Sequence, residues 1–260
     1  SITCIANFGQ DSTFAGTLSA GGNADANGIG DFKYAVPTGA KALCTANLPD
    51  PTIALPNQHF NTVLYTGNNN TSQNITGVGF QPDLVWVKNR DNVERHHLVD
   101  AVRGDNKVLF SNESDTERTG SHGNGHTQLN LASDGFNLVS NGTNDELNFG
   151  TRTYVAWNWN AGGSTVTNND GATASQVRAN TTAGFSIVTY TGTGDTSETY
   201  GHGLGVKPDC IIVKSRNVAG QDWVVYHKDL NGGSSPAERV LKLNSYVAEL
   251  DLGDIWYDTE

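Results

Sequence analysis

The sequence predicts an all-β fold, built as antiparallel β-sandwich modules in tandem. Short apolar runs with a period of two recur every 8–20 residues, separated by turns of Gly, Asn, Asp and Ser. In the best-defined part of the chain no stretch of ten or more residues carries a 3.6-residue period. The chain also repeats itself. Phe60-Asn-Thr-Val-Leu-Tyr-Thr-Gly67 returns as Phe185-Ser-Ile-Val-Thr-Tyr-Thr-Gly192, at an offset of 125 residues. Gly77-Val-Gly-Phe-Gln-Pro-Asp-Leu-Val-Trp-Val-Lys-Asn-Arg90 returns as Gly203-Leu-Gly-Val-Lys-Pro-Asp-Cys-Ile-Ile-Val-Lys-Ser-Arg216, at an offset of 126. A repeat of that length is a module rather than a solenoid unit.

Residues 1–48 form a first block, with strands expected at Ile2–Phe8 and Ala40–Thr45 and a flexible loop at Gly21–Gly30 between them. Fewer than 50 residues bury too little surface for a core of their own, so this block packs on something else or closes a domain that begins upstream. Residues 49–59 read as a stiff linker, because Pro51 and Pro56 fix φ and push their predecessors out of helix. Residues 60–163 are the first sandwich repeat. Its strands are expected at Asn61–Thr66, Asp83–Lys88, His97–Asp100, Lys107–Phe110, Leu129–Leu131, Gly135–Val139 and Thr153–Trp159. Residues 164–181 are polar and turn-rich, a linker or a long hairpin, and residues 182–260 are the second repeat.

Aligned on each other, the copies give a ruler. Asp222–Tyr226 falls opposite His96–Asp100, and Arg239–Asn244 matches Lys107–Asn112 at offset 132, which places a six-residue insertion in Asn231–Pro236. Counterparts of Phe136–Val139 and Tyr154–Trp159 are missing, so the second repeat is expected to be short by about 35 residues. With Ser1 in place of an initiator and no Met anywhere, the sequence reads as a processed chain or a segment of a longer one.

The net charge of −11, without a Lys/Arg cluster, argues against nucleic acid and anionic membrane surfaces as partners. No run of 18 apolar residues is present, so no membrane insertion by a helix is expected. Three Cys are too few for a disulfide framework and too scattered for zinc. Buried free thiols are the preferred reading, with a Cys4–Cys44 bridge as the alternative.

Enzymatic signatures are lacking: there is no Gly-x-Ser-x-Gly, no His/Cys pair at catalytic spacing and no recognisable carboxylate pair, and no cofactor is expected. His122 and His126 are four apart, but two Gly make their segment a loop rather than a chelating helix. His96 and His97 are adjacent on a strand and point to opposite faces. Gly203-x-Gly leads into a strand, which is not how a dinucleotide fingerprint ends. Arg103-Gly-Asp105 reads as an ordinary turn. Asn69, Asn74, Asn112, Asn141 and Asn180 head sequons, which mark exposed loops. Asp115, Asp145, Asp170, Asp195 and Asp229 sit in loops without the calcium-loop pattern, so they are assigned to turns. No metal site is expected. Trp157 and Trp159 share one strand face, which makes them either core or a ligand platform on which sugar rings stack. Asp83/Asp209, Lys88/Lys214 and Arg90/Arg216 recur in both copies, which points to a structural job such as ion pairs near strand ends.

The Val-x-Tyr-Thr-Gly strand, Gly-x-Gly-x-x-Pro-Asp, the Val-Lys-x-Arg strand end and the closing Tyr154-Val-Ala-Trp-Asn-Trp159 together resemble an uncharacterised tandem β-rich domain of large bacteriophage structural proteins from the sea. There the module follows a SPRY or concanavalin-like lectin domain. Asn7–Gln10, Phe14 and Val36–Cys44 are similar to the last strands of such a sandwich. The resemblance implies a non-enzymatic virion protein, of a tail fibre, appendage or capsid-surface decoration. Its partners would be other virion proteins, copies of itself and host-surface glycans. A secreted carbohydrate-binding adhesin of a marine bacterium is the alternative.

Overall fold

The computed structural model describes residues 11–119, 128–140, 146–253 and 255–256. The chain divides into two compact units, residues 1–54 and 55–260, with the boundary inside the Pro-rich stretch. Both copies of the repeat therefore lie in one unit. No α-helix occurs among the described residues, and the chain is all-β.

In residues 11–54 carboxylates hold the backbone. Asp25 accepts the N–H groups of Asn27 (2.9 Å), Ile29 (3.0 Å) and Ala42 (2.9 Å) and the Asn47 amide (2.7 Å). Burial works against its charge, yet these bonds bring its carboxyl down to about 2. Asp31 likewise accepts from Ser12 and Gly22. The strand expected at Ala40–Thr45 does not form. Asp25 draws the Ala42 N–H away from any ladder, and Thr45–Asn47 winds into one 3-10 turn. Cys44 is a free thiol and only half-buried; Cys4 and the strand expected at Ile2–Phe8 lie outside the described residues.

The first copy contributes β1 (Phe60–Thr66), β2 (Ser72–Ile75), β3 (Leu84–Asn89), β4 (His97–Asp100), β5 (Lys107–Phe110), β6 (Arg118–Thr119), β7 (Gln128–Ala132), β8 (Gly135–Val139) and β9 (Thr153–Trp159). They form two antiparallel sheets, ordered β1-β9-β3-β4-β5-β6 and β2-β8-β7. The core lies between them: Val85, Val87, Val99, Tyr154 and Ala156 of the larger sheet meet Ile75, Leu129, Phe136 and Leu138 of the smaller. These are alternate positions on each strand, as a period of two requires. Each large apolar side chain buried here contributes about 1.5–3 kcal/mol.

The second copy contributes β12 (Phe185–Thr189), β13 (Cys210–Val213), β14 (Val224–His227), β15 (Arg239–Lys242) and β16 (Leu250–Asp251). The sheet β13-β14-β15-β16 reproduces β3-β4-β5-β6 in register. Val85 pairs with Val99, and the equivalent Ile211 with Tyr226; Leu98 pairs with Leu109, and Val225 with Leu241; Lys107 pairs with Thr119, and Arg239 with Asp251. The turn before the sheet is also conserved between copies in backbone form. Gly77 and Gly79 have φ of 88° and 88°, and Gly203 and Gly205 have 74° and 71°, values that glycine adopts without a Cβ penalty.

Residues 164–181 are a hairpin rather than a linker. They hold β10 (Val166–Asn168) and β11 (Ser175–Asn180), which pair with each other, and β11 pairs on with β12. Thus β1 is joined to β3 through β9, whereas its counterpart β12 belongs to a separate sheet, β10-β11-β12. Asn180, a sequon residue expected to be exposed, is 9% exposed and bonds to the His59 ring and the Asn160 carbonyl.

Gly67 and Gly192 occupy the same place in the repeat. A Cβ on Gly67 would collide with the Phe149 carbonyl, whereas a Cβ on Gly192 meets nothing within 4 Å. Gly67→Ala is expected to lower stability by about 1–3 kcal/mol, as overpacking does. Gly192→Ala is expected to be neutral or to raise it by about 0.4–1 kcal/mol, by narrowing the unfolded ensemble. Urea unfolding of the two variants measures both signs.

Candidate functional site

The face of the six-stranded sheet turned away from the core carries the indoles. Trp86 of β3 and Trp157 and Trp159 of β9 stand there, all half-buried. Trp86 lies directly opposite Trp157, with ring centroids 5.8 Å apart at 64°, and is stacked on Trp159 at 6.4 Å and 28°. Phe60 and Phe185 add contacts to Trp159 at 5.0 and 5.9 Å. The two indoles singled out in the sequence therefore share a face, but they are neither sandwich core nor a bare platform. Trp159 is ringed by aromatic neighbours, and Trp157 is the freer of the two. The Trp86 ring nitrogen is buried without a hydrogen-bond partner among the described residues.

Further along the same face the second copy docks. Trp223, 5% exposed, packs with Leu98 and Leu109, and Leu84 and Trp86 close round this cluster. Its indole N–H donates to the carbonyls of Phe110 (2.7 Å) and Glu113 (3.2 Å), so a large apolar surface enters without an orphaned donor. The ladders shift this strand by one residue from the alignment read in the sequence: Leu98 pairs with Leu109 and Val225 with Leu241, so Trp223 takes the place of His96 and not of His97. The backbone around them is the same: the His96 N–H donates to Asn112 and the Trp223 N–H to Asn244, at 2.8 and 2.9 Å. Beside it, Arg216 grips Glu117 with two bonds of 2.9 Å, and the Glu117 N–H donates to the Arg216 carbonyl at 2.8 Å. Glu117 also pairs with Arg103, whose side chain is 5% exposed and bonds to Asp100 (2.5 Å) and to the carbonyls of Leu98 (3.0 Å) and Lys107 (3.2 Å). Burial alone would raise the Glu117 carboxyl, but Arg216 and Arg103 hold it below the usual range.

Residues 55–260, the compact unit just described, match the family "Domain of unknown function (DUF7483)" over their whole length. The chain belongs to this family. No curated protein and no solved structure matches it.

The other sequence candidates in this DUF7483 chain have ordinary employment. Arg103-Gly-Asp105 is not displayed, because its Arg is the buried hub above. Asp115 pairs with Arg118 at 2.6 Å, Asp170 and Asp195 close local turns, and Asp229 lies 3.6 Å from His227. No group of three or more His, Cys, Asp or Glu able to hold a metal occurs among the described residues. His122, His126, Asn141 and Asp145 lie outside them. The repeated charges divide by type. Lys88 and Lys214 do one job in both copies, each donating to the carbonyl of the next residue, Asn89 at 2.8 Å and Ser215 at 3.0 Å. Asp83 is buried, which pushes its carboxyl up despite the Ala161 N–H and Arg178 that bond to it, whereas Asp209 meets Lys228 in the open at 3.0 Å. Sequence reasoning missed Arg103, Glu117 and Trp223 as a group. The signal that points to them is the departure from the repeat: a Trp in the stretch where the first copy carries His96-His97.

Trp223→Ala is expected to lower stability by about 3–5 kcal/mol, the range for a buried Trp. Arg103→Ala is expected to cost about 3–5 kcal/mol, because Asp100 keeps its burial and loses its cation, while Glu117 is left with Arg216 alone. Urea unfolding at neutral pH measures both. The lowered Glu117 carboxyl sets the sign with pH: its contribution is full above the ordinary glutamate range near 4.5 and is lost as pH falls through the lower folded value. In Glu117→Gln this part of the fall in urea midpoint below pH 4.5 disappears.

Proposed function

We propose that the chain is a non-enzymatic structural protein of a virion, a component of a tail fibre, appendage or capsid-surface decoration built of tandem β modules. The observation that carries this reading is the joint between the copies. Trp223 and the Arg103–Glu117–Arg216 cluster fasten one repeat on the outer face of the other, so a buried indole and a linked set of charges serve mechanical attachment. The likeness of its repeated motifs to those of phage structural proteins supports the same reading, with other virion proteins and further copies of the chain as partners. An antibody against residues 55–260 is expected to label intact particles in immunogold electron microscopy. Recovery of the protein only in particle-free fractions sinks the proposal.

The second reading is a carbohydrate-binding adhesin. Two places favour it: half-exposed Trp157, and a recess of about 230 Å³ lined by Gln176, Thr189, Tyr190, Thr191, Ala174 and Arg216, whose amide, hydroxyl, phenol and guanidinium groups suit sugar hydroxyls. Binding on a glycan array, lost in Trp157→Ala, supports the Trp157 platform. Loss in Tyr190→Ala with Trp157→Ala unaffected moves the site to the recess, and no binding to any glycan rejects the reading.

A further inference from the structure

We propose that the recess beside β12 binds a single anionic sugar residue, a uronate or a sulfated hexose, at the free end of Arg216. The inference rests on the carbohydrate-binding reading and names the class of sugar that the recess selects.

Asp100, Arg103, Glu117 and Arg216 form one alternating chain of ion pairs, and Arg216 is its last member. Arg103 is enclosed by Asp100, Glu117 and two backbone carbonyls. Arg216 is not. It spends Nε and Nη2 on Glu117, while Nη1 takes no bond among the described residues. Its side chain is 37% exposed and lines the recess, so the two N–H groups of Nη1 remain for a ligand. Glu117 is shared with Arg103 and offsets only part of the Arg216 charge. An anion on Nη1 extends the alternation by one member and gains charge-assisted hydrogen bonds. The chain has 27 acidic residues against 16 basic ones, yet none of the residues lining the recess is acidic. Glu198, which approaches Tyr200, is bonded to the hydroxyls of Thr173 and Thr193 and does not line the recess.

The other lining groups fit a pyranose ring. Tyr190 is stacked on Tyr200 at 3.7 Å and 25°, which fixes its plane before a ligand arrives. Burial pushes its phenol up, so the hydroxyl is a neutral donor that does not repel an anion. Gln176 lies opposite Thr189 in the β11–β12 ladder. Its amide nitrogen donates to the Thr167 hydroxyl at 2.9 Å, which fixes the amide and leaves its oxygen to accept from sugar hydroxyls. Thr189 and Thr191 add two hydroxyls of their own. The recess measures about 230 Å³, below the roughly 300–1,000 Å³ of pockets for drug-sized ligands. It therefore admits one ring, as a chain end or a side branch, and not a run of several.

The test is an NMR titration of the nitrogen-labelled full chain with methyl glucuronide, a sulfated methyl galactoside and neutral methyl glucoside. At least one acidic glycoside is expected to bind about tenfold more tightly than methyl glucoside, the margin of one charge-assisted hydrogen bond. Its shifts are expected at the Thr189, Tyr190 and Thr191 amides and at Arg216 Nε. The preference is expected to shrink as salt is added, because the site is open to solvent. Which acidic glycoside binds tells a carboxylate ligand from a sulfate one. Thr191→Glu places an anion in the recess and leaves the Arg216–Glu117 pair untouched. It is expected to lose the acidic glycoside and to keep the Trp223 near-ultraviolet signal. Equal affinity for methyl glucoside overturns the proposal and leaves the carbohydrate-binding reading standing. Absence of acidic binding also overturns it, and array binding that depends on Trp157 then upholds that reading alone. Shifts that fall on Trp157, or acidic binding unchanged in Thr191→Glu, put the sugar elsewhere and overturn it too.

Discussion

A strand has two edges and two faces, and in the first copy β9 uses all four. Its edges bond to β1 over seven residue pairs and to β3 over six, which joins β1 to the rest of the larger sheet. Its inner face gives Tyr154 and Ala156 to the sandwich core, and its outer face gives Trp157 and Trp159 to the aromatic row. The rest of the unit follows from where such a strand is present. In the second copy no described strand stands between β12 and β13. The sheet divides there, β12 turns to the hairpin before it, and β13 keeps an open edge.

The joint between the copies shows which interactions carry weight. The exposed Lys228–Asp209 pair is well solvated at both ends and contributes little. Trp223 removes a whole indole from water and satisfies its N–H on backbone carbonyls, which makes it the anchor. Arg103 is different again. It lies in a place where a cation is costly, and it is tolerated because carboxylates and carbonyls surround it. Its contribution is to orientation, since it fixes the Glu117 carboxylate that Arg216 then grips.

Strands with clear alternation were legible in the residues. The five strands of the first copy named from apolar runs between Asp83 and Val139, and the closing Thr153–Trp159, are strands in the structure. The β10–β11 hairpin was hard to read because its residues are polar; its ladder partners, not its side-chain pattern, make it strand. Ala40–Thr45 failed for the opposite reason. Its alternation was adequate, but a distant carboxylate, Asp25, claimed one of its N–H groups, and no local rule sees a bond across 17 residues. Trp157 and Trp159 were correctly placed on one face by period two, while which face looked outward depended on β9 being central. The burial of Arg103 was invisible because Glu117 and Asp100 approach it from separate strands and turns.

The position shared by His96 and Trp223 has a consequence for assembly. Two patches of different composition meet in this joint: the outer sheet face of one copy and the Trp223 corner of the next. Such a contact is heterologous, with a head and a tail, unlike the self-complementary patch of a two-fold dimer. The tandem therefore has a polarity, and a joint of that kind, repeated, extends a line of modules instead of closing a ring of two.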